Sequence, residues 1–121
     1  MLSRAHRLTD NKDFQNVYRR GRYNSTAFLS VNILPNKFGV TKIGVVVSKK
    51  VAKKAHDRNA VKRKVREAAR LAYPRLKSGQ NIVISIKNAA LSQDYKVLEK
   101  DLLGSFKRLG LFGDENSSKN N

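Results

Sequence analysis

The chain begins with apolar residues at helical spacing and then changes to strand spacing. Thr9 or Asp10 can cap a first helix that ends at Gly21. The larger apolar side chains of this helix are Phe14, Val17 and Tyr18. The stretch AFLSVNILP at 27–35 then alternates, which predicts a strand with one aliphatic face. The opposite face of that strand carries Phe28, Ser30 and Asn32.

Two further strands and two further helices follow. The stretch TKIGVVVS at 41–48 is β-branched and nearly continuous, which predicts a central strand covered on both faces. A helix is predicted over 56–73, because Pro74 ends it. The stretch NIVISIK at 81–87 is again a strand, and Ser92 is predicted to open a last helix. The apolar residues of that helix are Leu98, Leu102, Phe106 and Leu109. The pattern therefore predicts an α+β fold in which helices lie on a small mixed sheet.

The length of 121 residues suits one domain with one modest core. Residues 1–112 are predicted to form this single domain, and the polar stretch 113–121 is predicted to be a disordered tail. The chain has no cysteine, which excludes disulfides and thiolate metal sites. No run approaches the roughly 20 apolar residues that span a bilayer, and the start lacks the apolar segment of a secretory signal. We therefore expect a cytoplasmic protein without a membrane partner.

Charge changes the picture from a small domain to a domain with a polyanionic partner. Lys and Arg number 26 against 9 Asp and Glu, which gives a net charge of +17. The charge is concentrated in KKVAKKAHDRNAVKRKVREAAR at 49–70. On a helical wheel, Val61, Val65, Ala68 and Ala72 form a narrow apolar stripe, and the cations lie on the opposite arc together with Asn59. Such a face would neutralise several phosphates. Charge alone does not separate DNA from RNA, although no helix-turn-helix, zinc ligand set or heptad repeat favours a DNA reader.

Several motifs in order resemble the protein subunit of bacterial ribonuclease P. They are DFQNVYRRG at 13–21, VSKK at 47–50, AHDRN at 55–59, KR at 62–63 and RE at 66–67. The resemblance covers roughly residues 8–112. Many members of that family carry a second arginine directly after the asparagine, where this chain has Ala60. The resemblance implies a ferredoxin-like αβββαβα sandwich with a left-handed crossover through the basic helix.

The resemblance also implies a function. Members of that family join a catalytic RNA and remove the 5′ leader from precursor tRNA, with Mg²⁺ ions held mainly by the RNA. The residues predicted to bind the catalytic RNA are Lys53, Lys54, Arg58, Asn59, Lys62, Arg63, Arg66 and Arg70. The residues predicted to line a leader-binding cleft are Phe14, Tyr18, Phe28, Ser30, Lys49 and Lys50. The alternative for the aromatic residues is ordinary core packing. No small-molecule substrate is expected.

The protein itself is not expected to be catalytic. A protein nuclease needs an acidic cluster for two metals or a pair of imidazoles. The chain has only His6, in a start expected to be frayed, and His56, which is expected to position phosphate, and its acids are scattered. No catalytic residue and no metal ligand is therefore predicted. The alternative function is a structural RNA-binding protein, such as a ribosomal protein or an RNA chaperone, without a catalytic RNA partner.

Overall fold

A computed structural model describes residues 2–113 as three helices on a four-stranded mixed sheet. The elements in chain order are α1 (Asn11–Arg20), β1 (Arg22–Ser25), β2 (Leu29–Pro35), β3 (Lys42–Val46), α2 (Ala55–Ala72), β4 (Gln80–Ile86) and α3 (Tyr95–Arg108). Short 3-10 helices cover Arg4–His6, Tyr73–Arg75 and Asn88–Ser92. The predicted α+β class is confirmed. The predicted tail lies outside the described residues except for Gly113.

The strand order in the sheet is β1-β2-β4-β3, so β3 lies at an edge. β2 pairs antiparallel with β1 and β4, whereas β3 pairs parallel with β4. The prediction that the stretch 41–48 forms a central strand was therefore wrong. Its nearly continuous apolar sequence has another cause: Ile43 and Val45 lie in the core on one face, and the ring of Phe14 lies against Gly44 on the other.

The sheet is covered on both faces, with the larger core beneath α2 and α3. Leu29, Val31 and Ile33 of β2 alternate into this core, as do Ile82 and Ile84 of β4. A smaller cluster beneath α1 contains Leu8, Val17 and Val83, with Phe14, Leu34 and Val46 packed against it. The side chains of each strand therefore face α1 on one side and α2 with α3 on the other.

Aspartate side chains cap the amino-terminal ends of two helices. Asp10 Oδ1 accepts the Lys12 backbone N–H at 2.8 Å at the start of α1. Asp94 Oδ1 accepts the Val97 backbone N–H at 3.1 Å and begins α3. The prediction that Ser92 opens this helix was wrong, because Ser92 belongs to the preceding 3-10 helix.

The amino-terminal segment covers the free edge of β3. Leu8 N–H donates to the Ile43 carbonyl at 2.9 Å, and Leu2 lies in the larger core with 6% of its surface exposed. The ring of His6 stacks on Tyr73 with the centroids 4.0 Å apart. The expectation of a frayed start at His6 was therefore wrong. The segment hides the backbone groups of an edge strand that would otherwise be open to pairing.

Candidate nucleic-acid interface

Helix α2 presents one buried stripe and one cationic face. Its buried side chains are Val61, Val65, Ala68, Ala69 and Ala72. These small residues let α2 pack closely against β3 and α3. Asp57 lies in the first turn, where a carboxylate is favoured by the helix dipole. Because the stripe is anchored in the core, the cationic side chains on the remaining arc are held at the surface.

Three of the predicted RNA-binding residues lie together on α2. Asn59, Arg63 and Arg66 line a groove of about 480 Å³ with Glu67. Asn59 and Arg63 are exposed and Arg66 is half-buried. We call this surface the α2 groove. Arginine forks of this kind match two phosphate oxygens at once, and the asparagine amide can donate a further hydrogen bond.

Lys62 lies beside the α2 groove among other cations. Burial lowers the pKa of Lys62, and the charges of Arg66 and then Arg58 lower it further. The protonated side chain is therefore held where positive charge is unfavourable in the protein alone. A bound phosphate would relieve that repulsion, which is the electrostatic character expected of an anion-binding face.

Arg58 has a partner within the protein. Its Nη1 donates to the Ala52 carbonyl at 2.8 Å and to the Lys53 carbonyl at 2.9 Å. Both carbonyls belong to residues 48–54, a segment that we call the lysine loop. Four of its side chains are exposed lysines: Lys49, Lys50, Lys53 and Lys54. Arg58 therefore fixes the loop that carries these charges.

Arg70 is held by an acidic neighbour. Its Nε and Nη2 donate to the two carboxylate oxygens of Glu67 at 2.9 and 2.7 Å. This hydrogen bond lowers the pKa of Glu67 and raises the pKa of Arg70. Among the predicted cations, Arg70 already has a carboxylate in the position that a phosphate would take.

Ala60 lies on a different flank from the α2 groove. It lines a groove of about 270 Å³ with Asp57, Val61, Lys64 and Leu91. An arginine at this position would begin on the flank near Leu91. The alanine therefore leaves the α2 groove itself unchanged.

A row of hydroxyl groups crosses the sheet on the face that α1 covers in part. Ser25 pairs with Ser30, and Ser30 pairs with Ser85 across three adjacent strands. The Tyr18 hydroxyl lies 3.2 Å from Ser85 Oγ, within hydrogen-bond distance. Lys87 Nζ donates to Ser25 Oγ at 2.6 Å at one end of the row. We call this surface the α1 cleft.

The lysine loop leaves the sheet at the other end of the α1 cleft. Val46, the last residue of β3, pairs with Ser85. Lys49 and Lys50 follow only a few residues later and are exposed. Hydroxyl groups and an aromatic ring thus lie between two sources of positive charge.

The three aromatic residues predicted to form one cleft floor are not all together. Tyr18 is 48% exposed on α1, and Phe14 is half-buried in the smaller core. A Cβ at Gly44 would lie only 2.5 Å from Phe14 Cζ, so the glycine makes room for this ring. Phe28 packs instead against the larger core and lines a groove with α3. The structure therefore places Phe28 on the opposite face of the sheet from Tyr18, since β2 begins only at Leu29 and the alternation does not extend to Phe28.

Comparison with known proteins decides which family has this arrangement. A model of the family described as Ribonuclease P matches residues 2–110. The chain belongs to the ribonuclease P protein family. A ribonuclease P protein component from Clostridium botulinum (strain 657 / Type Ba4) is 34% identical over 110 residues, which cover 90% of this chain and 98% of the relative. One from Pseudanabaena sp. (strain PCC 6903) is 41% identical over 104 residues, covering 84% and 89%.

Solved structures of ribonuclease P proteins have the same fold. The Staphylococcus aureus protein aligns with a TM-score of 0.82 at 25% identity over 91% of this chain and all of that one. The Thermotoga maritima protein aligns with a TM-score of 0.73 at 26% identity over 81% and 92%. The chain is thus the protein component of the endoribonuclease that matures tRNA 5′ ends, and this reading prevails over that of a structural RNA-binding protein.

The acidic and histidine side chains that the structure describes are not gathered in one place. Within residues 2–113, no three His, Asp or Glu side chains come together in a way that could hold a metal ion. The His56 side chain is 92% exposed, and its Nδ1 lies 3.5 Å from Asp57 Oδ1. In the same described part of the chain, no helix is long and apolar enough to cross a membrane.

Sequence reasoning missed part of the α1 cleft of this ribonuclease P protein. Ser25, Ser85 and Lys87 were not among the predicted residues, and neither was Tyr23, which is 67% exposed and pairs with Asn32. Their proximity follows from the pairing register of β1, β2 and β4. The short polar strand RYNS has no apolar alternation, so the only local signal was its position directly after Gly21.

Proposed function

We propose that this ribonuclease P protein binds the catalytic RNA through the α2 groove and the lysine loop. The observation that carries the proposal is the gathering of Asn59, Arg63 and Arg66 in one accessible groove beside Lys62. A cationic face of this kind gains affinity by releasing counterions from RNA phosphates. The surrounding compartment in this proposal is the cytoplasm.

The other predicted cations would contribute differently. Arg58 acts through the lysine loop, because its Nη1 is engaged by two backbone carbonyls. Arg70 contributes less than Arg63 or Arg66, because a phosphate would have to compete with the Glu67 carboxylate. Lys53 and Lys54 are exposed point charges that can follow a phosphate backbone.

The α1 cleft is the proposed site for the 5′ leader of precursor tRNA. Tyr18 offers an exposed ring on which a base can stack without sequence preference. Ser30 and Ser85 offer hydroxyl groups, and Lys49 and Lys50 lie at one end to meet phosphates. Phe14 supports this surface from below by packing against Gly44. Phe28 is not part of this proposed cleft, because it packs on the α3 side.

Mg²⁺ is the proposed metal of the assembled enzyme, and the RNA is its proposed holder. The described side chains of the protein do not fit a magnesium site, because hard cations need several oxygen ligands and the acids here are dispersed. The protein would contribute positive charge and position the leader. The metal would supply charge stabilisation for hydrolysis of one phosphodiester bond.

Assembly with the catalytic RNA tests this proposal. The double variant Arg63→Ala/Arg66→Ala should bind the RNA more weakly, and the slope of log affinity against log salt should fall by about 1.4 to 1.8 for two lost phosphate contacts. The matched control is Lys96→Ala/Lys107→Ala, which removes two exposed cations from α3. An unchanged affinity in the first variant, with the fold intact by circular dichroism, would refute the assignment.

A further inference from the structure

A second groove lies on the opposite face of the sheet from the α1 cleft. It measures about 560 Å³ and is lined by Phe28, Val97, Lys100, Asp101, Gly104 and Arg108. We call it the α3 groove. Val97 is 38% exposed and Phe28 is half-buried, so the groove offers apolar surface to solvent. The α2 groove is not part of it, since α2 packs over β3 while α3 packs over β1 and β2.

Gly104, which lines this groove, is not required by packing. Glycine is among the least favourable residues in a helix interior, and α3 extends four residues beyond it. Outside the helix backbone, the nearest described atom to a Cβ at this position would be Arg108 Nη1, 3.9 Å away. The missing side chain leaves the helix backbone open to the groove, as expected where a ligand approaches closely.

Cations stand one turn above and one turn below this glycine. Lys100, Gly104 and Arg108 are spaced four residues apart, so they form one stripe along about 12 Å of helix. The acid in the groove, Asp101, accepts a hydrogen bond at 2.6 Å from the Thr26 hydroxyl. The lining thus has one more positive than negative side chain, and its two cations are about two turns apart on α3.

Two hydrogen bonds hold the backbone of Phe28. The Thr26 hydroxyl oxygen accepts the Phe28 backbone N–H at 3.2 Å, and the Phe28 carbonyl accepts the Lys87 backbone N–H at 2.9 Å. An aromatic ring that lines a groove together with two cations fits a nucleobase with its flanking phosphates. Single-stranded RNA matches this chemistry better than an acidic peptide, which has no base to stack.

The α1 cleft and the α3 groove both adjoin Thr26. Its carbonyl accepts the Lys87 ammonium at 2.6 Å, and Lys87 also contacts Ser25 at the end of the α1 cleft. Its hydroxyl contacts Asp101 in the α3 groove. Thr26 therefore adjoins both surfaces, and a single strand that left the α1 cleft past Lys87 would be directed toward the α3 groove.

We propose that the α3 groove binds the distal part of the precursor tRNA leader as single-stranded RNA, beyond the part held in the α1 cleft. This inference rests on the proposed leader binding in that cleft. Phe28 would stack on a base, Lys100 and Arg108 would contact the flanking phosphates, and Gly104 would admit the strand to the helix surface.

The test compares two substrates of the assembled ribonucleoprotein, one with a short leader and one with a leader several times longer. The wild-type enzyme should bind the long-leader substrate more tightly. Lys100→Gln/Arg108→Gln should remove most of this difference and lower the salt slope for the long-leader substrate by about 1.4, for two contacts to a single strand. The control Lys96→Gln/Lys107→Gln, with the same charge change on the same helix, should retain the difference.

Two single variants separate binding from folding. Phe28→Leu keeps an apolar side chain and should weaken long-leader binding by about fivefold or more, the lower limit for one lost stack. Gly104→Ala should raise the melting temperature by about 2–8 °C, because alanine is the better helix former, and should nevertheless weaken long-leader binding. A purely structural role for this groove cannot produce higher stability together with weaker binding.

Three outcomes would overturn the inference. They are equal wild-type affinity for the two leaders, an unchanged difference in Lys100→Gln/Arg108→Gln, and an equal loss in the control pair. If the difference in affinity between the two substrates is unchanged in Lys100→Gln/Arg108→Gln, the α3 groove does not bind the leader, and another partner such as an acidic protein would be its ligand. If Tyr18→Ala still weakens binding of the short-leader substrate, the α1 cleft binds the leader even when the α3 groove does not. The proposal for the α1 cleft and the proposal for the α3 groove can therefore fail separately.

Discussion

Cationic residues of α2 differ in how much of their charge is free for a partner. Arg58 donates to two backbone carbonyls and Arg70 to a carboxylate, whereas Arg63 and Arg66 line an open groove. The sequence places all four on one helix, but their side-chain partners depend on atoms that helical spacing does not specify. At the residue scale, binding energy should therefore be concentrated in the α2 groove and in Lys62.

Lys62→Gln should stabilise the protein while weakening its assembly with RNA. Removing the repulsion from Arg58 and Arg66 should raise the free energy of unfolding by about 0.5 kcal/mol, measured by urea denaturation near neutral pH. The lowered pKa means that the folded state binds this proton less tightly than the unfolded state, whose pKa is near 10.5. The cost is therefore complete below the folded-state pKa and disappears as the pH rises toward the unfolded value. A gain from the substitution that grows with pH would contradict this reasoning.

Tyr18→Ala should affect leader-bearing substrate alone. Loss of one stacked base should cost about 1–3 kcal/mol of binding to precursor tRNA and leave mature tRNA unchanged. Because half of the side chain is exposed, the loss of stability should stay well below the roughly 3–5 kcal/mol of a buried aromatic. Tyr18→Phe is the matched control, since it keeps the ring and loses only the contact with Ser85. Equal losses for both RNAs, with a lower melting temperature, would return Tyr18 to a core role.

Elements differ in how well their positions follow from the sequence. The helical face of α2 was predictable, because Val61, Val65 and Ala68 point to one side by local geometry alone. The edge position of β3 was not, because strand order depends on pairing with β4, far away along the chain. The position of Phe28 was not predictable either, since the Thr26 hydroxyl organises a turn that delays the start of β2. Alternation is reliable only within the strand that produces it.

Arg58→Ala should act on the lysine loop as an element. Loss of both carbonyl contacts should release residues 48–54, which we expect to see as faster trypsin cleavage at its lysines under native conditions. The salt slope for RNA assembly should fall by less than in Arg63→Ala, because Arg58 is not a proposed phosphate contact. Arg63→Ala should leave the rate of trypsin cleavage in the loop unaltered. The opposite ranking of the two variants in both assays would make Arg58 the phosphate ligand and Arg63 the structural residue.

The whole molecule combines a small two-sided core with a net charge of +17. The apolar residues are used on both faces of one sheet, and positive charge is most concentrated on α2 and in the lysine loop, with further cations on α3 and along the rest of the chain. This distribution makes the molecule self-repelling when free and attracted to RNA over a large part of its surface. Family membership was predictable from ordered motifs, whereas the α1 cleft required the register of three strands.

The protein without its catalytic RNA should not cleave RNA. Its described side chains offer neither a metal-binding cluster nor a buried acid–base pair at His56. We expect no site-specific cleavage of precursor tRNA by protein freed of RNA, and efficient cleavage at low Mg²⁺ after the catalytic RNA is added. Gel analysis of the products checks both. Mg²⁺-dependent cleavage at the correct site by RNA-free protein would require a catalytic centre in the protein.

The edge position of β3 also determines when the chain can fold during its synthesis on the ribosome. Its strand partner among the described elements is β4, with Ile43 beside Ile82 and Val45 beside Ile84. The whole of α2 is therefore translated before β3 can pair with β4. The amino-terminal segment likewise cannot cover the edge of the complete sheet until β4 has been translated. Until then a strongly basic segment emerges beside ribosomal RNA without its core. Because β3 pairs with β4 late, we expect unintended contacts between the nascent chain and RNA to be most frequent after α2 is translated and before the fold that binds the intended RNA is complete.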